Sequence, residues 1–310
     1  AMDVSAQPMR ELTERLAKLE VVPESAGFKE KKELLDFIAT NRVRAPEAVV
    51  KYSKQISEHH ASALGDSVWD VHEGIVGAAL EASDENSAIQ ALMKLDSKFK
   101  RKHGEKPLVR IRKLEAKIRE YRREYMNAGK IYKMVLNMDA VDSDAMCRVV
   151  CIAKAEGQYD KAVSALNRYL KLFPANVDAW LELAEIYVQL DRLDYAKFCY
   201  EECILIQPED YRYPLLYADC LYSIASKGKK GSILKNPMEL ARCYYIQSLE
   251  LAPGNIRALL GLSMVLRSSK MTSANQSLFE STEKEIVRQY STNGAEARKL
   301  LTILRAALRQ

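Results

Sequence analysis

Apolar residues recur along the chain at helical spacing, and the helices they mark come in pairs. Between Val177 and Asp210, Trp180, Leu183, Ala184 and Tyr187 line one helix face. Ala196, Tyr200 and Cys203 line a second, and Pro208 ends it. With Val177 as position 1, these residues stand at positions 4, 7, 8, 11, 20, 24, 27 and 32. From Ser143 to Asn176 the same positions carry Met146, Val149, Val150 and Ala153, then Ala162, Leu166, Tyr169 and Pro174. Ala162 to Ala196 and Pro174 to Pro208 are each 34 residues apart. One period further back, Val109 to Asp142 places Ala128, Tyr132 and Val135 at 20, 24 and 27. Tyr211 opens another unit with Tyr217, Ala218 and Leu221, then Ala241, Tyr245 and Pro253. Pro208 and Pro253 are 45 apart, so 11 extra residues, Ser226 to Asn236, read as a Gly-, Ser- and Lys-rich loop between the two helices.

The physical cause of the period is steric. Small residues at 8 and 20 let two antiparallel helices approach closely, and large ones at 4, 7, 11 and 24 fill the seam. Proline at 32 stops the second helix because it lacks the backbone donor a helix interior needs. Pro214 departs from the pattern at position 4, where the first helical turn tolerates it. This is the tetratricopeptide signature, and a pair that cannot bury its stripe alone has to stack on neighbours. The expected class is therefore all-α, a tetratricopeptide superhelix (α-solenoid) with extra N- and C-terminal helices. The expected divisions are an N-terminal helical extension at 1–63, a repeat array at 64–268 and capping helices at 269–310. Units stand near 69–102, 109–142, 143–176, 177–210, 211–255 and 256 onward. Trp69 to Leu80 and Asn86 to Phe99 form the first pair, with Ala88 at position 20. Arg10 to Ala39 reads as helical and amphipathic, and Leu278 to Tyr290 and Ala295 to Leu308 as terminal helices.

Composition adds little chemistry. Apolar residues make up 48% and charged ones 29%, the balance of a folded soluble protein. No apolar run approaches the roughly 18 residues of a membrane span, and the first residues do not read as a secretory leader. Six cysteines include Cys147/Cys151 and Cys199/Cys203, each pair four residues apart on a helix. Metal knuckles place their thiols in loops with further ligands, so small buried apolar residues in a reducing compartment are expected instead. His59, His60, His72 and His103 have no partners in a triad or metal set and read as satisfied or solvated. Gly228 to Ser232 lacks the spacing of a phosphate loop. No catalytic residue, cofactor or metal is expected.

Charge is unevenly spread. From Lys94 to Arg123 there are thirteen basic residues against four acidic ones, a net of +9 that leaves −4 for the rest of the chain. The candidate contacts of this band are Lys100, Arg101, Lys102, Arg110, Lys113 and Lys117. A solvated helix face, an acidic protein partner and a lipid headgroup all fit it. Nucleic acid fits less well, because only Phe99 and Tyr121 could stack on bases.

First-helix positions 2, 5, 9 and 12 line the concave side of such stacks. Here they give a candidate partner groove of Asp144, Cys147 and Cys151; Asp178, Leu181, Glu185 and Val188; and Arg212, Leu215, Asp219 and Tyr222. Mixed apolar and acidic groups suit a helix or extended segment with basic character. The Lys-5/Asn-9 clamp of chaperone-tail binders is missing: the Val109 unit has Lys113 and Lys117, the Ser143 unit Cys147 and Cys151, and the Val177 unit Leu181 and Glu185.

Three runs also resemble one family. They are AWLELAEIYVQLDRLDYAKFCYEECILIQP (Ala179 to Pro208), LGDSVWDVHEGIVGAALE (Leu64 to Glu81) and NIRALLGLSMVL (Asn255 to Leu266). In order and spacing they are similar to the second-subunit family of the endoplasmic reticulum membrane protein complex. The resemblance runs from about Leu64 to Leu266 and leaves out the first 60 residues, the Ser226 to Asn236 insertion and the far C-terminus. It implies a non-enzymatic, peripheral scaffold on the cytosolic face of the endoplasmic reticulum membrane. Such a subunit cradles cytosolic segments of integral subunits, docks another soluble subunit, and supports insertion of tail-anchored and multipass proteins. Its membrane association is indirect, through partners. The alternative is a different cytosolic tetratricopeptide adaptor, in protein targeting or RNA processing, that uses the basic 98–123 band.

Overall fold

A computed structural model describes residues 6–20, 27–103, 108–227, 236–268 and 272–292, with no side-chain detail at 6–7, 20, 100–103 and 291–292. The expected terminal helix at 295–308 and most of the expected 226–236 loop lie outside these residues. Every regular element among the described residues is helical, and the chain divides into two compact units, Ala1–Glu156 and Gly157–Gln310.

The first unit holds α1 (Ala6–Glu20), α2 (Phe28–Asn41), α3 (Pro46–His59), the single turn α4 (Ala61–Leu64), α5 (Val68–Glu81), α6 (Glu85–His103), α7 (Val109–Tyr121), α8 (Tyr125–Met138) and α9 (Ser143–Ala155). The helical reading of 10–39 resolves into two helices, and α2 starts after Gly27, whose φ of 74° suits glycine. Leu12, Leu19, Leu34, Ile38 and Tyr52 bind α1, α2 and α3 into one apolar cluster. A second cluster joins Ile75, Val76, Ala88 and Leu95 to Ile111, Leu114 and Ile118, so α5, α6 and α7 share a core. A third packs Ala116 against Ala128, Tyr132 and Val135 and on to Ala145 and Ile152.

The second unit holds α10 (Tyr159–Leu172), α11 (Val177–Gln189), α12 (Leu193–Ile206), α13 (Arg212–Ser226), α14 (Pro237–Leu251), α15 (Ile256–Ser268) and α16 (Ser273–Thr292). Val177, Cys203 and Tyr213 form a buried node that ties α11, α12 and α13 together, with Trp180 and Leu181 against it.

Local signals repeat with the period. Asp142, Asn176 and Asn255 each cap a first helix by accepting the backbone N–H three residues on, at 2.8, 2.9 and 3.1 Å. The turn between the helices of a pair places position 15 in the left-handed region at Ser83, Arg123, Gly157 and Asp191, with φ of 60°, 60°, 70° and 56°. After three of these turns the next N–H reaches back five residues, Asp84 to Ala79, Glu124 to Arg119 and Arg192 to Tyr187. That bond closes the helix end as a Schellman motif.

The tightest helix approach lies between α14 and α15. A Cβ built on Gly261 would stand 2.4 Å from the Tyr245 ring. The ring has nowhere to go, because Tyr245 is 2% exposed and its hydroxyl donates to Asp219 at 2.6 Å. Gly261→Ala is therefore expected to cost about 1–3 kcal/mol through overpacking, read as a lower midpoint in urea. The same change at Gly129, where nothing lies within 4 Å of the added carbon, is expected to cost nothing.

Candidate protein-binding surface

The first helices of the pairs carry the candidate groove, and the two compact units present it differently. In the first unit, α7 is ion-paired to the helices on both sides. Arg110 reaches Glu73 and Asp70 on α5 at 2.8 and 3.4 Å. Lys113 meets Asp142 at 3.0 Å and Asp144 at 3.5 Å, and Lys117 meets Asp144 at 3.7 Å. Arg122 bonds Glu85 at the start of α6, at 2.5 Å. Arg119 pairs with Glu115 within the helix at 3.0 Å and with Glu124, just before α8, at 3.1 Å. From Arg110 to Arg122 the basic band is thus largely matched by carboxylates of this same unit. Lys100, Arg101 and Lys102 lie where no side chain is described.

Burial strengthens parts of this network. Partial burial alone would lower the pKa of Lys113, yet Asp142 and Asp144 hold it above the ordinary lysine value. Burial would raise Asp142, but the Ala145 N–H and Lys113 bring it below the usual carboxylate range. Deeper in, the Glu120 carboxylate accepts from Tyr132 Oη at 2.6 Å and from Arg148 Nε at 3.0 Å. Burial first and Glu120 second push the Tyr132 phenol up, so it stays a neutral donor. On the open side of α9, Cys147 and Cys151 are exposed thiols.

In the second unit, α11 presents Asp178, Glu185 and Val188 to solvent, Val188 at 42% exposure, while Leu181 is half-buried against the Val177 node. α13 is a different case. Leu215, expected in the groove, is buried, as are Tyr213 and Pro214 beside it, so the first turn of α13 is enclosed instead of half-open. Asp219 is engaged by Tyr245 Oη and by Arg257 on α15, both at 2.6 Å. Arg212 folds back on Asp210, Nε to Oδ2 at 2.9 Å, and Tyr222 is half-buried. The open row in this unit is therefore that of α11.

Two further expectations change. Among the six cysteines, Cys199, Cys203 and Cys220 are buried and Cys147, Cys151 and Cys243 are exposed. On α9, positions 5 and 9 face outward, which places this pair in solvent. Burial pushes the three inner thiols up to about 12, leaving them unreactive. His72 is neither solvated nor fully satisfied: it is buried, its Nδ1 has no hydrogen-bond partner, and its ring lies 6.0 Å from Trp69. Burial, then Lys94, lowers its pKa. The Tyr–carboxylate–Arg clamps built on buried tyrosines, Tyr132–Glu120–Arg148 and Tyr245–Asp219–Arg257, escaped the periodicity. The available signal was a tyrosine at position 24 paired with an acid at position 9 or 12.

A family model described as the EMC2 TPR-like repeat domain matches residues 108–229. ER membrane protein complex subunit 2-A of Xenopus laevis is 34% identical over 273 residues, covering 85% of this chain and 86% of its own. Subunit 2-B of the same species is 36% identical over 223 residues, 71% of this chain and 70% of its own. ER membrane protein complex subunit 2 of Dictyostelium discoideum is 27% identical over 181 residues, 58% and 55% of the two chains. The C-terminal part of a TPR repeat-containing protein from Cytophaga hutchinsonii matches with a TM-score of 0.58 over 88% of this chain and 98% of its own. At 15% identity that likeness speaks for the fold alone.

The Lys113–Asp142 pair gives a pH signature. Asp142 has a depressed folded pKa, so its contribution is full above the unfolded value near 4 and is lost as pH falls through the folded one. Asp142→Asn keeps the helix cap and removes the charge. It is expected to lower stability by roughly 1 kcal/mol at pH 7, with a smaller difference from the parent chain at about pH 3, below the unfolded value. Urea titrations at both pH values check this, and an undiminished difference in acid would rule the ion pair out as the cause.

Proposed function

Because this chain belongs to the ER membrane protein complex subunit 2 family, we propose that it is a non-enzymatic scaffold subunit of that complex on the cytosolic face of the membrane. It holds cytosolic segments of membrane-embedded subunits, docks another soluble subunit, and supports insertion of tail-anchored and multipass proteins without carrying out the insertion itself. The observation that carries this reading is family membership over most of the chain, joined to a fold of stacked helix pairs. Among the described residues no helix is long and apolar enough to cross a membrane, and the proposal takes its membrane attachment to be indirect, through partners.

We assign partner contacts to the open row of each unit taken by itself, Cys147 and Cys151 in the first and Asp178, Glu185 and Val188 in the second. An extended or helical segment with basic residues fits the carboxylates of α11. The adaptor reading that relied on the 98–123 band loses support from the ion pairs of Arg110, Lys113, Lys117 and Arg122. Cations already matched by intramolecular carboxylates have less to offer an anionic partner. The repeat array at 64–268, with an N-terminal extension and a C-terminal cap, remains our proposed division of the chain.

Affinity purification of the tagged chain from detergent-solubilised membranes is expected to recover integral proteins of the endoplasmic reticulum. Recovery only as a free protein would overturn the assignment. Glu185→Lys, at an exposed position, is expected to leave thermal stability unchanged and to reduce recovery of those partners several-fold. Unchanged recovery would move the groove away from α11.

A further inference from the structure

The outer face of α12 carries a feature that helix packing does not require. Tyr195, Phe198 and Leu205 are 62%, 51% and 75% exposed. At about 100° per residue they fall within roughly 80° of one another, a single ridge along the helix. Together they leave on the order of 400 Å² open, a size at which a patch on a monomer is often functional.

The repeat supplies an internal control. Exactly equivalent positions one period earlier, on α10, are Lys161, Ser164 and Lys171, all exposed. On α14, across the 11-residue insertion, they are Leu240, Cys243 and Glu250, the last two exposed. Polar side chains therefore satisfy the fold at these places. Tyr, Phe and Leu there leave more than half of each residue's surface in water.

The ridge is also held rigid from beneath. Phe198 stands edge-on to Trp180 with ring centroids 5.9 Å apart, and the indole Nε1 is fixed by donation to the Pro174 carbonyl at 2.8 Å. Tyr195 stacks on the buried Tyr187 at 5.2 Å. Aromatic side chains already fixed in place lose little entropy when a partner arrives.

Charge selects the occupant. α12 carries Asp194, Glu201 and Glu202 against Lys197 alone, and Lys197 is taken by Glu201 at 3.3 Å. Asp194 and Glu202 have no ion-pair partner among the described residues; on the helical wheel Asp194 sits about 20° outside the ridge and Glu202 within it, about 20° from Tyr195, and Glu209 is exposed just beyond the helix. Nucleic acid and an anionic membrane surface are repelled by such a rim. A second copy of the ridge would set carboxylate against carboxylate.

We propose that the outer face of α12 is a docking surface for an amphipathic helix of another protein, apolar along one stripe and bordered by Lys or Arg. The surface lies apart from the groove row of α11 and is independent of the membrane-complex reading, so either can fail alone. Leucines at i, i+3 and i+7 of the incoming helix cover Tyr195, Phe198 and Leu205, and its flanking cations meet Asp194 and Glu202.

The test uses the full chain and two labelled 18-residue synthetic helices with the same leucine stripe, one bordered by lysines and one by glutamates, followed by fluorescence anisotropy. The lysine helix is expected to bind in the micromolar range and at least tenfold more tightly than the glutamate helix, weakening several-fold from low to 300 mM salt. The triple change Tyr195→Lys, Phe198→Ser, Leu205→Lys installs the side chains that α10 already tolerates, so it is expected to stay folded with a melting temperature lowered only by loss of the Trp180 and Tyr187 ring contacts, while reducing binding tenfold or more. Glu202→Lys alone is expected to weaken the lysine helix and spare the glutamate helix. Equal binding of the two helices, or binding undiminished in the triple variant, overturns the proposal, as does tighter association with phosphatidylserine vesicles than with the lysine helix.

Discussion

The whole architecture depends on how closely two helix backbones can approach at one small side chain. Ala88, Ala128, Ala162, Ala196 and Ala241 occupy the same position of successive pairs, and every one is fully buried. Opposite them, position 8 is Ala116, Ala184 or Ala218, also fully buried, or the slightly larger Val76 and Val150. A larger side chain at either point would force the axes apart and open a gap along the seam, costing dispersion contacts over its whole length. Once the alanines set the separation, Tyr132, Tyr200 and Tyr245 at position 24 have room to lie flat in the seam. Their phenols must then find partners, because a buried hydroxyl without one is expensive. Tyr132 and Tyr245 find carboxylates that an arginine from the following pair also holds. A steric choice at one position thus leads to a polar clamp that links one pair to the next.

That chain of consequences explains what could be read from the sequence. The period, the alanines, the terminating prolines and the helical class were all legible, because each depends on local residues at fixed spacing. The clamps were not, since they join positions in adjacent pairs whose register is a property of stacking. Leu215 shows the same limit from the other side. Its place at position 5 predicted an open groove residue, yet the first turn of α13 is enclosed along with Tyr213 and Pro214. The cysteines were read too uniformly: composition suggested six small buried residues, and Cys147 and Cys151 are exposed because positions 5 and 9 of α9 point away from the seam. The helix α3 was absorbed into an unspecified extension, although Tyr52 and Ile56 are buried in its midst.

The basic band is instructive about charge in repeat proteins. Counted along the chain it is the most polar-biased stretch, and it invites a polyanion. In space, acidic residues far away in sequence come up to α7, and its Arg110, Lys113, Lys117 and Arg122 are matched by Glu73, Asp142, Asp144 and Glu85. Partly buried pairs of this kind fix register between helices more than they add stability. Linear charge density therefore misjudges a stacked-helix surface in both directions. It overstates α7, and it passes over α12, whose few carboxylates without ion-pair partners matter because they border exposed aromatic residues.

A repeat makes it possible to separate what folding demands from what it merely allows. Where every pair carries the same small or aromatic residue, the fold is sufficient explanation. Where one pair departs from its neighbours at a position that stays exposed, packing offers none. Tyr195, Phe198 and Leu205 against Lys161, Ser164 and Lys171 are such a departure, on two second helices of the same compact unit. An exposed phenylalanine braced by a tryptophan gains nothing from water, and the cost of leaving it there is offset only if something else covers it. In a chain of stacked helix pairs, the informative residues are those at which the repeat is broken without the helix being disturbed.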